Sequence, residues 1–248
     1  MRQLKFARRS RMNMKSIAKR VQFKLTDLAK ITSFASFLRS RSYSQFWEDR
    51  LILRLLNSNV GSYVDIGAGA PLWGSNTYLL YKKGWRGVCV DPINFHINLH
   101  KIIRRRDRQY KTVVSAKSNQ ILFYELAPWE LSTTNESIAK QRIQEGAIKI
   151  RSEFLTCISL EKIYKENQIK RPALLSIDVE GAEMSVLQSN DWDKYCPDII
   201  CVEELNNPLS GSEIRSYLSK IGYEIAAYNG VSSIYIWTES DQLTNCLA

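Results

Sequence analysis

The chain has 248 residues, of which 44% are hydrophobic and 24% are charged. This composition can bury the apolar surface that one folded domain requires, and it excludes an intrinsically disordered chain. Glycine and proline follow no period, which excludes collagen-like and repeat proteins, and no apolar run approaches the roughly 18 residues of a membrane-spanning helix. The five cysteines are widely spaced and form no C-x-x-C pair. This pattern fits reduced thiols in a cytosolic protein better than a disulfide framework or a zinc site.

The formal net charge of +10 is concentrated at the N-terminus. Residues 1–41 contain twelve Lys or Arg and one acid, Asp27, whereas the other 207 residues contain 23 basic and 24 acidic side chains. The sequence therefore predicts a basic extension, residues 1–41, followed by one nearly neutral domain, residues 42–248. A groove that follows nucleic-acid phosphates should itself be basic, so the neutral domain argues against a nucleic-acid substrate.

The basic extension carries an apolar stripe. Its apolar residues recur every three or four positions from Ile17 to Ala35, as in an amphipathic helix. Three interpretations stay open: a solvated extension that packs one face on the domain, a helix lying on an anionic membrane surface, and a targeting or nucleic-acid-binding segment. We expect a cytoplasmic protein, and peripheral contact with a membrane through this extension is one of the alternatives.

Downstream of the extension, strand patterns alternate with helical ones. Helical patterns occupy residues 44–56, 75–83, 96–104, 159–167 and 212–221. Strand patterns occupy residues 63–66, 87–90, 111–115, 173–178 and 199–203. Shorter β-like pieces at 120–126 and 154–158 bracket a polar insert at 127–153, which is long enough for a lid or a binding loop. Strands at 223–228 and 231–237 flank Asn229-Gly230, a dipeptide that favours a hairpin turn.

This order of elements predicts an α/β fold. It implies a mostly parallel sheet with helices on both faces, closed by a C-terminal antiparallel hairpin. In such sheets ligands bind beyond the carboxyl ends of the strands, where the strand order reverses.

A glycine turn follows the first predicted strand. Gly67 and Gly69 allow the backbone to turn sharply and to approach a ligand closely, and the N-terminus of the next helix offers free N–H groups to an anion. Asp91 ends the second strand, 24 residues after Gly67, as suits a carboxylate that binds a ribose diol. Together these features predict a ligand of the nucleoside type.

The details of the turn favour S-adenosylmethionine (SAM) over NAD. A dinucleotide fingerprint requires a third glycine where this chain has Leu72, and Pro71 interrupts the expected turn. Asp65, two residues before Gly67, would repel a pyrophosphate but attract the ammonium group of a methionine moiety.

Acidic residues follow the fourth and fifth predicted strands. Adjacent parallel strands would bring Asp178 or Glu180 close to Glu203 or Glu204, at the same edge as Asp65. Carboxylates grouped in this way can bind Mg²⁺, or one of them can act as a general base. We therefore take Asp178, Glu180 and Glu203 as catalytic candidates, and Asp178, Glu203 and Glu204 as candidate metal ligands.

The two histidines are predicted to be structural. His96 and His100 are four residues apart on the helix after the second strand, so they share a face of that helix. That face is not expected to be the one that meets an acceptor.

Several ordered blocks make the chain resemble the FkbM-type SAM-dependent methyltransferases over roughly residues 42–238. The blocks are Ser-Gln-Phe-Trp-Glu-Asp (44–49), Tyr-Val-Asp-Ile-Gly-Ala (63–68), Ser-Asn-Thr (75–77), Gly-Trp-Arg-Gly-Val-Cys-Val-Asp-Pro (84–92) and Ser-Ile-Asp-Val-Glu-Gly-Ala-Glu (176–183). Trp47 departs from the family pattern, in which a small residue, often glycine, is expected.

The resemblance implies a class I methyltransferase fold with a seven-stranded Rossmann-like sheet. It also implies SAM as the methyl donor and a hydroxyl acceptor, often on a sugar, a glycan or a natural product. Six residues are candidates to bind the cofactor: Asp65, Gly67, Gly69 and Asp91, from the glycine turn and the end of the second strand, and Gln45 and Asn76, from the blocks. Mg²⁺ is a candidate second cofactor, because an acid after strand four and an acidic pair after strand five resemble the arrangement in metal-dependent sugar O-methyltransferases.

Two other functions stay open. An RNA methyltransferase would use the basic extension to bind RNA, and a non-catalytic SAM- or nucleotide-binding protein would use the acids only to order its loops. Trp73 and Trp129, the latter in the polar insert, are candidates to stack on a sugar ring.

Overall fold

The computed structural model describes residues 42–56, 58–116, 120–169, 171, 173–204 and 211–238. The predictions made for the basic extension, residues 1–41, lie outside this part of the chain. Among the residues described, no helix is both long and apolar enough to cross a membrane.

Seven strands form the main sheet, and the sequence predicted its mixed character correctly. They are β1 Ser62–Ile66, β2 Arg86–Val90, β3 Arg108–Tyr110, β7 Ala173–Ile177, β8 Ile199–Glu203, β9 Tyr223–Tyr228 and β10 Ser232–Trp237. Their order across the sheet is β3-β2-β1-β7-β8-β10-β9. The first five run parallel, and the hairpin β9–β10 joins β8 antiparallel through β10.

The order reverses between β1 and β7. From β1 the chain moves outward to β2 and β3, then returns to add β7 on the other side of β1. A crevice at the carboxyl ends of these two strands is the expected ligand site of an open α/β sheet.

A second sheet of three strands lies beside the main one and was not predicted as a unit. It consists of β4 Val113–Val114, β5 Gln120–Ala127 and β6 Ile148–Ile158, in the order β4-β6-β5. The predicted strand 111–115 was therefore misplaced, because β3 pairs with β2 in the main sheet while Val113 and Val114 pair with β6. A two-residue strand does not carry enough sequence pattern to identify its partner.

The polar insert 127–153 is folded. It contains a short 3-10 helix, Trp129–Leu131, an α-helix, α4 Glu136–Gln144, and the first half of β6. Asn135 caps α4, since its side chain accepts hydrogen bonds from the amides of Ser137 and Ile138.

The remaining helices are α1 Glu48–Leu56, α2 Tyr78–Lys82, α3 Asn94–Ile103, α5 Leu160–Asn167, α6 Glu183–Leu187 and α7 Glu213–Lys220. Two of them begin at serines that the sequence pattern had indicated. Ser159 and Ser212 accept hydrogen bonds from backbone amides three residues downstream, which satisfies a free N–H group at each helix start.

Helices cover both faces of the main sheet, as predicted. Alternate side chains of a strand point to opposite faces, so Leu175 and Ile177 join an apolar cluster with α5 and α6, whereas Leu174 joins another with α1 and α2. Cys89, Cys157 and Cys201 form no disulfide bond. Cys196 is disulfide-bonded, which departs from the expectation of reduced thiols throughout.

Candidate active site

The glycine turn after β1 lies directly against the loop after β7. Gly67 has φ +76, and a Cβ atom at this position would lie 1.7 Å from the carbonyl oxygen of Asp178. The amide of Asp178 in turn donates to the carbonyl of Ile66 over 2.9 Å. Glycine is required here both for its backbone conformation and for space, and its presence brings the acid-bearing loop to the turn.

Asp91 and His100 hold the second glycine of the turn from two sides. The amide of Gly69 donates to Asp91 Oδ2 over 2.9 Å, and the carbonyl of Gly69 lies 3.1 Å from His100 Nε2. Burial, together with the neighbouring charge of Arg104, lowers the pKa of His100 to about 3. His100 is therefore neutral at physiological pH and donates its Nε2–H to that carbonyl.

His96 supports the same carboxylate. Its Nδ1 lies 3.2 Å from Asp91 Oδ1, which also accepts from the amide of Ile93 over 2.7 Å. Both histidines are buried beneath the turn. The sequence placed them correctly on one face, but it did not reveal that this face supports the glycine turn.

A cleft of about 870 Å³, partly open to solvent, lies over the glycine turn at the expected crevice between β1 and β7. Four of the six predicted cofactor residues line it: Gln45, Gly67, Gly69 and Asp91. Two of the predicted catalytic residues, Asp178 and Glu180, line it as well.

Trp129 covers one end of this cleft. Its ring lies 3.0 Å from the position that a Cβ atom of Gly69 would take, and it meets His96 edge-on with a ring separation of 4.6 Å. It packs with a small apolar cluster that includes Ile93, Val113 and Phe123. The structure thus places Trp129 beside the glycine turn, and the sequence had suggested this ring only as a platform for a sugar.

Asp65, which the sequence predicted to contact a cofactor, is not among the residues that line the cleft. Its carboxylate accepts a hydrogen bond from Thr77 Oγ1 over 2.5 Å and lies 3.9 Å from the guanidinium of Arg104. Burial raises the pKa of Asp65, and the charge of Arg104 partly offsets this effect. The reason for this orientation is the fully buried Arg104, which requires carboxylate partners.

Arg104 is the centre of a buried polar network under the turn. Its Nε donates to Asp107 over 2.8 Å, and its terminal nitrogens donate to the hydroxyls of Tyr63 and Thr77, each over 2.8 Å. Asn76, the other predicted cofactor residue outside the cleft lining, donates instead to Ser176 Oγ over 3.2 Å. The sequence showed Arg104 only as part of a basic run and gave no sign of its burial.

Asp178, Glu180 and Glu203 are brought together as predicted. One carboxylate oxygen from each lies within 4.8 Å of the others. Burial and the neighbouring carboxylates raise the pKa of Asp178 well above its ordinary value, and the same causes raise the pKa of Glu203 to about 7. Half-buried carboxylates at this separation cannot all ionise without a compensating cation.

Arg142, from the folded insert, supplies one such cation. Its guanidinium donates to Glu180 Oε2 over 2.6 Å, and Thr133 donates its hydroxyl to the backbone carbonyl of Glu180 over 2.9 Å. Glu180 has a positive φ of 57, so this loop adopts a conformation that side chains disfavour. Arg142 was not predicted as a site residue, because nothing in its local sequence pattern relates it to a loop 38 residues away.

Glu204 does not join the acid cluster. It is buried, and its carboxylate accepts hydrogen bonds from Ser233 over 2.5 Å, from Tyr235 over 2.9 Å and from Ser212. The three carboxylates that lie close enough to share a metal ion are therefore Asp178, Glu180 and Glu203. The sequence had predicted Glu204 in place of Glu180. The three hydroxyl donors hold the carboxylate of Glu204 apart from the cluster.

A second cavity, of about 660 Å³ including open solvent, lies on the other side of the acid cluster. Its lining is strongly acidic and includes Glu183, Glu203, Glu204 and Glu213. Glu203 therefore faces this cavity while Asp178 and Glu180 face the cleft, so the cluster lies at the junction of the two spaces.

The architecture and the glycine turn together define a class I methyltransferase fold. A family model described as the methyltransferase FkbM domain matches residues 65–225, more than half of the chain. The chain belongs to the FkbM methyltransferase family, and the resemblance noted from its sequence is confirmed.

Two solved structures resemble the chain more distantly. One is a TehB-like SAM-dependent methyltransferase from Corynebacterium glutamicum ATCC 13032 Kitasato, with a TM-score of 0.39 and 12% identity over 85% of this chain and 99% of that one. The other is precorrin-6y C5,15-methyltransferase from Geobacter metallireducens GS-15, also with a TM-score of 0.39 and 12% identity, over 77% of this chain and 86% of that one. No curated protein matches the sequence significantly.

Proposed function

We propose that this methyltransferase uses SAM to methylate a hydroxyl group of a sugar, a glycan or a glycosylated small molecule. The observation that carries the proposal is the acid cluster of Asp178, Glu180 and Glu203, which lies between a glycine-lined cleft and a second cavity. The cleft would hold the donor and the second cavity the acceptor, with carboxylates between them.

The residues of the cleft fit the donor. Gly67 and Gly69 leave a cradle that side chains would fill, and Ile93, Val113 and Phe123 provide an apolar end suited to a nucleobase. Asp91 remains the candidate for the ribose hydroxyls. When bound, SAM supplies a methyl group on a positively charged sulfonium centre.

Asp178 and Glu180 line the cleft, and a bound sulfonium cation would favour the ionised form of these carboxyl groups. Asp65, which the sequence suggested for this role, contacts Thr77 and Arg104 instead. The preference for SAM over a pyrophosphate ligand thus rests on a different pair of acids.

Glu203 suits the role of general base. Its pKa of about 7 lets it accept a proton near neutral pH. The buried His100 is less suited to this role, because its Nε2 is hydrogen-bonded to the carbonyl of Gly69. Glu203 would take the acceptor proton while the cavity walls align the hydroxyl oxygen with the methyl group, and such orientation can supply much of the rate.

The same three carboxylates have the donor set that Mg²⁺ prefers, namely oxygen ligands close together. Bound there, the ion would neutralise the cluster and lower the pKa of a coordinated hydroxyl. Exhaustive EDTA treatment separates the two mechanisms. If turnover is undiminished, a carboxylate acts directly as the base. If turnover is lost and Mg²⁺ restores it, the reaction requires the metal ion.

The acidity of the second cavity bears on the acceptor. Four glutamates would repel a phosphorylated or carboxylated group, which favours neutral hydroxyl acceptors. It also weighs against the alternative of an RNA methyltransferase, since each acceptor nucleotide carries a phosphate.

The test is transfer of a labelled methyl group from SAM to neutral glycans, uronate-containing glycans and RNA. We expect label only in the neutral glycans and a loss of at least about a hundredfold for Glu203→Gln. Glu224→Gln, at an exposed position on β9, is the matched control. Donor binding without transfer to any of these acceptors would favour a non-catalytic SAM-binding protein. A cytoplasmic location stays a prediction from the sequence, and contact of the basic extension with an anionic membrane stays one of its alternatives.

A further inference from the structure

The folded insert holds the acid-bearing loop after β7. Arg142, on α4, donates from Nη2 to Glu180 Oε2 over 2.6 Å, and Thr133 donates its hydroxyl to the carbonyl of Glu180 over 2.9 Å. Ile138, also on α4, packs against Gly181, where a Cβ atom would lie 2.7 Å from the Cδ1 of the isoleucine. The insert therefore fixes this loop through an ion pair, a hydrogen bond and an apolar contact.

The backbone of the loop requires such support. Glu180 has a φ of +57, a conformation that a residue other than glycine keeps only where its surroundings fix it. The loop supplies part of this support itself, since the amides of Val179 and Gly181 donate to Glu183 Oε1 over 3.3 and 3.0 Å. The contacts from the insert add to it.

Arg142 also holds the element that carries Trp129. Its Nη1 donates to the carbonyl of Leu131 over 3.0 Å, and Leu131 is the last residue of the 3-10 helix that begins at Trp129. The ring of Trp129 in turn lies 3.0 Å from the position that a Cβ atom of Gly69 would take. One guanidinium thus bridges the element that covers the glycine turn and the loop that carries Glu180.

This ion pair differs from an exposed one on the same helix. The side chains of Arg142 and Glu180 are 17% and 22% exposed, whereas those of Lys140 and Glu136 are 70% and 62% exposed. Exposed pairs contribute little to stability, but a largely buried charge that loses its partner is costly. The planar guanidinium also suits two fixed acceptors at once. Arg142 is therefore suited to hold both elements in one arrangement.

We propose that Arg142 is a positioning residue for the methyl donor. By bridging Leu131 and Glu180, it fixes the ring of Trp129 relative to the acid-bearing loop, and so fixes the shape of the cleft that Trp129 and Glu180 both line. The effect on donor binding rests on the proposed function, in which the donor occupies this cleft. The bridge between the insert and the loop does not depend on it.

The first test is binding of S-adenosylhomocysteine to Arg142→Met, measured by calorimetry. We expect roughly tenfold weaker binding in the wild-type background and a loss of less than about twofold in a Trp129→Ala background, because the ring that Arg142 positions is then absent. Equal losses in the two backgrounds would overturn the proposal.

Arg151→Met is the matched control. Arg151, on β6, forms an ion pair of the same length, 2.6 Å, with Glu125 on β5, and neither residue is among those that line the cleft. This variant should bind S-adenosylhomocysteine as the wild type does. A loss equal to that of Arg142→Met would show a general effect of removing an ion pair, and would count against a positioning role.

Arg142→Lys separates the bridge from the charge. Lysine keeps a positive charge beside Glu180 but lacks the planar fork that reaches two acceptors. We therefore expect it to recover only part of the affinity lost in Arg142→Met. Full recovery would show that the charge alone suffices, which contradicts the bridge.

The second test needs neither donor nor acceptor. In Arg142→Met, amide hydrogen exchange should become about tenfold faster at Val179 and Gly181 in the loop and at Ser132, whose amide donates to the carbonyl of Trp129 over 3.0 Å. Arg151→Met should leave these rates unchanged. Unchanged exchange in the loop of Arg142→Met would overturn the proposal. If the wild-type chain fails to bind S-adenosylhomocysteine, the proposed function is wrong, and the exchange rates still decide whether Arg142 forms the bridge.

Discussion

A Cβ atom at Gly67 would lie 1.7 Å from the carbonyl oxygen of Asp178. This close approach joins the turn that would hold the donor to the loop that carries two of the three clustered acids. The relative position of donor and acids therefore depends on the absence of one side chain.

Gly67→Ala should be far more damaging than an alanine at another glycine of positive φ. We expect a loss of about 2–3 kcal/mol in the free energy of unfolding beyond that of Gly84→Ala, because the new methyl group collides with backbone. Gly84 has φ +100 and open space around it. Gly84→Ala therefore carries the conformational cost of a positive φ but no steric collision. Chemical denaturation of both variants measures the difference, and equal losses would contradict the geometry.

Trp129→Ala should weaken binding of the donor. Its ring covers Gly69 and closes the apolar end of the cleft, so we expect S-adenosylhomocysteine to bind roughly tenfold more weakly by calorimetry. Trp73→Ala, which removes a more exposed ring of the cleft, should have a smaller effect. If Trp129→Ala weakens only acceptor binding, the ring of Trp129 instead stacks on the sugar, as the sequence suggested.

Glu203 should make the protein less stable as the pH rises. Its pKa increases from the ordinary 4.5 to about 7 on folding, so the folded state retains a proton that the unfolded state releases. This contribution is complete below about pH 4.5 and is lost as the pH rises through 7. Glu203→Gln should flatten the fall in unfolding temperature between pH 5 and 8, measured in EDTA, and should abolish a rise in turnover centred near 7.

His100 should act in the opposite direction. Its pKa falls from 6.5 to about 3 on folding, so its contribution is present above pH 6.5 and is lost as the pH falls towards 3. His100→Gln keeps a donor for the carbonyl of Gly69 and should remove this acid sensitivity, whereas His100→Ala should also weaken donor binding. If glutamine and alanine weaken donor binding equally, the hydrogen bond to Gly69 does not position the turn.

Glu204→Gln should affect stability and not cation binding. Its carboxylate accepts three hydrogen bonds, from Ser212, Ser233 and Tyr235, and the loss of a charged acceptor should cost about 1–3 kcal/mol. Mn²⁺ affinity, if the cluster binds metal, should fall for Glu203→Gln and stay unchanged for Glu204→Gln. A lower Mn²⁺ affinity for Glu204→Gln would instead support the metal ligands predicted from sequence, which included Glu204.

Most of the secondary structure and the identity of the family could be predicted from the sequence. The strands at 173–177 and 199–203 and the Asn229-Gly230 hairpin have strong local patterns, and the spacing of Gly67 and Asp91 indicated a nucleoside site. Local patterns failed for Val113 and Val114, whose partner strand lies more than forty residues downstream.

The fold class, the glycine turn and the approximate grouping of acids at the ends of β7 and β8 could be read from the amino-acid sequence, because they depend on periodicity and on parallel strand order. The direction of each acidic side chain could not, because it depends on contacts made in the folded chain. Asp65 lies beside buried Arg104 and outside the cleft lining. Glu204 accepts hydrogen bonds from hydroxyl groups on β10 and at the N-cap of α7, and Arg142 reaches Glu180 from the insert. Each of these orientations is determined by a partner distant in sequence, since buried charged groups must find charges or hydrogen bonds wherever the fold supplies them.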